Sequence, residues 1–91
     1  MSEPLDARLK RMRMRSWRRG TKEMDMVLGP YADARLSGMD TRALDAFDAL
    51  LEEYDQDLIK WVLGQEPAPP EHSALIADLA AFARARLAPG P

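Results

Sequence analysis

Ninety-one residues suffice for one small domain, and a net charge of −2 with no cysteine excludes disulfides, thiolate metal sites and a strongly basic nucleic-acid module. The single histidine, His72, argues against an imidazole-built zinc site. No apolar run is long enough to span a bilayer, and no apolar stretch with a cleavage site follows the basic start, so the expectation is a cytoplasmic protein without membrane insertion.

Charge is unevenly spread. Eight of the 13 basic residues fall between residues 8 and 22, and ten acids fall between residues 23 and 57. Two readings stay open on charge alone: an anionic partner for the arm and a cationic one for the body, or neutralisation inside the fold.

Composition and period predict helix throughout, as an all-α, five-helix single domain over residues 1–91, ordered from about 5 to 87. Helix 1 covers about 5–18, with Leu5, Leu9, Met12 and Ser16 on one stripe and Met14 and Trp17 off it. Gly20 closes this helix, Arg18 and Arg19 suit its negative end, and Thr21 is an N-cap for the next. Helix 2 covers 22–36 with Met24, Val27, Leu28 and Tyr31 inward, and Gly29-Pro30 predicts a kink or short break.

Asp40 caps helix 3, residues 41–53, whose stripe is Leu44, Phe47, Leu50, Leu51 and Tyr54. Asp55 caps helix 4, which stops at Gly64 and has more apolar residues than one face needs, Trp61 among them. A proline-rich connector, residues 65–70, leads to helix 5 at 71–87, with Leu75, Ile76, Leu79, Phe82 and Leu87 to one side and a frayed tail. His72 reads as a surface or capping residue.

Catalysis finds little support. Asp55 and Asp57, or Glu52 and Glu53, are paired carboxylates without companion groups, and helix N-terminal roles explain the aspartates. Neither a phosphate-binding loop nor a dinucleotide fingerprint is present. The basic helix "RLKRMRMRSWRR" raises a nucleic-acid or antitoxin-like regulator as the alternative function. A mixture of Arg, Met and Trp also suits a protein interface, and the acidic body favours that reading.

In "SWRRGTKEMD", Arg19, Gly20, Glu23 and Asp25 fit the pattern R-G-x-x-E-x-D, and "DQDLIKWVLGQEPAP" supplies Asp55, Asp57, Leu58 and Trp61 in a second block. Together they resemble the SdhE/YgfY family of FAD assembly factors, over roughly residues 8–84. Trp17 departs from the small residue or Cys that many relatives carry before Arg-Arg.

The resemblance implies a five-helix fold and a non-enzymatic chaperone. It would bind the flavoprotein subunit of succinate dehydrogenase, or a related fumarate reductase, and promote covalent attachment of FAD held by that partner. No cofactor of its own, no stable nucleic acid and a monomeric free state are the matching expectations. Arg19, Gly20, Glu23 and Asp25 would form the docking edge, with Asp55 beside it and Trp17 and Trp61 as apolar anchors. In that view Arg19 and Glu23 offer opposite charges across the interface, and Gly20 lets partner backbone approach.

Overall fold

A computed structural model describes residues 3–87. The frayed tail expected at residues 88–91 lies outside the described residues. Five helices follow in order: α1 (Leu5–Trp17), α2 (Lys22–Arg35), α3 (Thr41–Leu50), α4 (Asp55–Val62) and α5 (Ser73–Leu87), with a 3-10 turn at Leu36–Gly38 after α2. No strand occurs among the described residues, and none of their helices is long and apolar enough to cross a membrane.

The α1–α2 hairpin is the most extensive pairing, and α5 returns to pack on both α2 and α4. The core is built from the inward stripes: Met12 of α1, Met24, Leu28 and Tyr31 of α2, Phe47 and Leu50 of α3, Leu58 of α4, and Ile76 and Leu79 of α5. Tyr31 sits at its centre, edge-on to both Phe47 and Phe82. Its hydroxyl donates to Asp78 at 2.5 Å, tying α2 to α5. Ser16, on the apolar stripe of α1, is buried because its hydroxyl donates to the carbonyl of Met12 one turn back.

Helix ends follow local chemistry at α3 and α4. Asp40 accepts from the N–H of Ala43 at 2.8 Å, the expected cap. Gly64, at φ +76°, ends α4 with the paired bonds Gln65 N–H to Lys60 and Gly64 N–H to Trp61.

Elsewhere the structure corrects the sequence reading. Helix α3 stops at Leu50 rather than 53. Helix α2 runs unbroken through Gly29-Pro30. Pro30 lacks the N–H that would bond to Met26, and Arg86 of α5 reaches that carbonyl at 3.4 Å. Gly29 has a different role, since a Cβ there would lie 2.3 Å from the indole of Trp17. The bare backbone of Gly29 is the seat for Trp17, whose N–H is shared by the Asp33 carboxylate oxygens at 3.2 Å.

The charge asymmetry is largely resolved along α1 and α3. Arg8 bonds Asp45 and Asp48, Arg11 bonds Asp48 through both terminal nitrogens, and Arg15 bonds Glu52. The Arg11 guanidinium holds the Asp48 carboxyl below its ordinary range and is itself held charged. On this face the arm and the body neutralise one another.

Candidate docking corner

The segment between α1 and α2 makes the site. Gly20 has φ +105°, a conformation costly for residues with a Cβ, and the space where that Cβ would go is open. The chain therefore turns here without a side chain, which leaves the backbone approachable from outside.

Arg19 turns inward. Its side chain is 9% exposed, and each of its three nitrogens donates: Nε to Asp55 at 2.9 Å, Nη1 to the Leu51 carbonyl at 2.6 Å, and Nη2 to the Glu53 carbonyl at 2.5 Å. Those carbonyls lie just past α3, where the helix leaves acceptors unpaired. Arg15 adds a second bond to Leu51 at 3.0 Å. A planar fork of five N–H groups suits this task as lysine would not.

Asp55 completes the lock. Its second oxygen accepts from the Thr21 hydroxyl at 2.9 Å. Both expected caps are thereby reassigned: Thr21 occupies the N-cap position of α2 without a side-chain capping bond, and Tyr54, not Asp55, occupies that of α4. Each side chain has a stronger partner across the corner than in its own helix. Asp25 also turns inward, accepting from the backbone N–H of Arg19 at 2.7 Å.

The R-G-x-x-E-x-D signature thus divides in two. Arg19 and Asp25 hold the corner, Gly20 permits it, and Glu23 is exposed with no ion pair or side-chain hydrogen bond among the described residues. The opposite charges expected to face a partner reduce to one carboxylate, because Arg19 is satisfied internally.

Around this frame lie two shallow depressions that meet at Thr21, Asp55 and Gln56. One, of about 300 Å³, has Met24 and Ile59 in its apolar lining and Glu23 at its rim. The other, of about 540 Å³, runs past Gly20 to Tyr54, which is 74% exposed. Tyr54 was absent from the expected site residues. Its spacing continues the α3 stripe, so only the early end of α3 reveals that it faces outward.

The two tryptophans are placed apart. Trp17 lies on α2 and remains partly exposed. Trp61 packs against the core and beside the ring of His72, 5.9 Å between centroids. His72 is not a surface residue: it is 5% exposed and meets Glu53 at 2.8 Å, fastening the start of α5 to the turn that Arg19 clamps.

The nucleic-acid alternative loses ground on this geometry. The arginines a nucleic-acid surface would need are engaged, Arg11 by Asp48 of α3 and Arg15 by Glu52 just past it, and Arg13 lies 3.4 Å from Asp33. No cluster of three or more potential metal ligands occurs among the described residues.

What remains is a small all-helical protein whose corner is held by nearly buried bonds and opens onto two partly apolar depressions. The chain belongs to the family described as "Flavinator of succinate dehydrogenase", which it matches over residues 10–83. It is similar to the FAD assembly factor SdhE of Acetobacter pasteurianus, 34% identical over 67 residues, which cover 74% of this chain and 62% of that protein. The mitochondrial succinate dehydrogenase assembly factor 2 of Mycosarcoma maydis is 34% identical over 68 residues, covering 75% of this chain and 29% of the relative. The same-named protein of Schizosaccharomyces pombe is 30% identical over 86 residues, covering 92% and 62%. The chain thus spans 29% to 62% of the length of these relatives.

Proposed function

We propose that this protein is a cytoplasmic FAD assembly factor: it binds the flavoprotein subunit of succinate dehydrogenase, or of a related fumarate reductase, and favours covalent attachment of FAD there. The observation that carries this reading is family membership over residues 10–83, with the signature residues folded into one corner. The exposed parts of that corner suit contact with another protein: an open glycine backbone, a carboxylate, a tyrosine and an apolar groove.

Bond formation belongs to the partner and the FAD it holds. Asp55 accepts from the Thr21 hydroxyl but is also clamped by the Arg19 guanidinium, an arrangement that reads as a structural lock and not as a poised nucleophile and base. Docking would stabilise the conformation of the flavoprotein in which its own groups react, which makes this chain a conformational helper and not an enzyme.

The test is deletion in the host followed by denaturing electrophoresis and flavin fluorescence of the succinate dehydrogenase flavoprotein. The expected result is a weak or absent fluorescent band, restored by the wild-type gene. An undiminished band would sink the reading.

A further inference from the structure

A second surface lies on the other flank of the N-terminal half of α2. On α1, Lys10, Met14 and Trp17 follow at four- and three-residue spacing, so they share one face, with Arg13 beside them and Arg18 at its end. On α2, Lys22, Met26, Gly29 and Asp33 make a matching outer stripe. Trp17 joins the two by lying on Gly29. Met14, Trp17 and Met26 are 44%, 37% and 49% exposed, half of the six large hydrophobics left exposed among the described residues.

The charge of this face is positive in a protein of net negative charge. Lys10, Arg18 and Lys22 make no ion pair or side-chain hydrogen bond among the described residues, while Arg13 lies 3.4 Å from Asp33. Its acids are Asp33, already held by the indole and near Arg13, and Asp6 at the far end. The indole is fixed on its glycine seat by a hydrogen bond, so it would lose little freedom on binding.

We infer that this α1/α2 face is a second docking surface, for an acidic segment bearing apolar side chains on the same flavoprotein; the inference rests on the function proposed above. Cations around exposed Met and Trp match carboxylates set among apolar groups. A polyphosphate fits less well, because one face of the indole is covered by Gly29 and the inner arginines of α1 are paired. With the Glu23 groove on the opposite flank, the two surfaces carry opposite charge, which would fix the direction in which the partner seats.

The experiment compares affinity of the purified apo-flavoprotein for the wild type, for Lys10→Glu/Arg18→Glu, and for a control, Arg42→Glu/Arg84→Glu, that changes net charge equally at other exposed positions. The face variant should bind about tenfold more weakly and with a flatter salt dependence, and the control should stay within about twofold. A photo-crosslinker at Met14 should capture a flavoprotein peptide rich in Asp or Glu. Equal affinity of the face variant and the control, or capture of a peptide without acids, would overturn this inference alone if Glu23→Gln still weakens binding. No binding by the wild type would overturn the proposed function as well. Binding to duplex RNA or to phosphatidylglycerol vesicles that depends on Lys10 and Arg18, without flavoprotein binding, would replace the protein segment by a polyanion.

Discussion

Arg19 and Asp55 form a nearly buried ion pair, 2.9 Å from Nε to Oδ1, that locks the α1–α2 corner onto the start of α4. The pair is embedded in further bonds to Thr21, Leu51 and Glu53, so neither charge is left without partners. Buried pairs of this kind are often near neutral in sum, yet breaking one is costly.

Arg19→Ala should therefore destabilise the fold by about 3–5 kcal/mol, since it leaves the nearly buried Asp55 without a cation and the Glu53 carbonyl without its bond, while Arg15 still reaches the Leu51 carbonyl. Arg19→Lys should recover only part of the loss, because an ammonium cannot serve three separated acceptors in one plane. Urea unfolding followed by circular dichroism measures both. A loss below about 1 kcal/mol for Arg19→Ala would mean that water replaces the guanidinium without difficulty.

Gly20 separates structure from docking. Any side chain there meets open space but imposes a strained φ of +105°, so Gly20→Ala and Gly20→Arg should both cost about 1 kcal/mol and both remain folded. Flavoprotein binding should distinguish them, with Gly20→Arg abolishing the complex and Gly20→Ala weakening it less. If Gly20→Arg were unfolded, its effect on binding would say nothing about docking.

Gly29→Ala tests the seat of Trp17. The added methyl would stand 2.3 Å from the ring, so the indole must leave and its bond to Asp33 must break. A loss of about 1–3 kcal/mol is expected, the usual range for overpacking. In a Trp61→Phe background, the fluorescence of Trp17 should shift to the red. An unshifted spectrum would show that α2 moves instead.

Asp48 should govern part of the acid response. Its carboxyl is held below the ordinary value of 3.8 chiefly by the hydrogen bonds from Arg11, with Arg8 assisting. A depressed value means that the stabilisation is complete above 3.8 and is lost as the pH falls through the lower folded-state value. Asp48→Asn should cost about 1 kcal/mol at neutral pH, and the gap to the wild type should close as the pH falls below about 4. Thermal melts from pH 7 to pH 2 would reveal a constant gap if the pair contributes nothing.

Some of this was open to reading one residue at a time. Asp40 and Gly64 act within their own turns, so a cap and a stop could be located without knowing what packs nearby. The stripes of α1 and α2 named core residues for the same reason, apart from Leu5 at the start of α1, which stays exposed, because a helical period fixes which side chains share a face. Thr21 and Asp55 mark the boundary of that method. Both stand where caps are expected, yet each takes a partner from the other helix. Gly29 beside Pro30 suggested a break, and His72 at the start of helix 5 suggested a surface or capping residue. Trp17 and Glu53 are what reassign them, and both lie many residues away.

The sequence by itself determined the five helices, most of the inward stripe and the segment that forms the corner, because propensity, period and turn chemistry act over a few residues. Tertiary structure alone decided that Arg19 faces inward while Glu23 faces out, that Trp17 rests on Gly29, and that the arginines of α1 meet the acids of α3. Those outcomes depend on which distant carbonyls and carboxylates come within about 3 Å, the reach of a hydrogen bond, and that distance is set by how the helices pack.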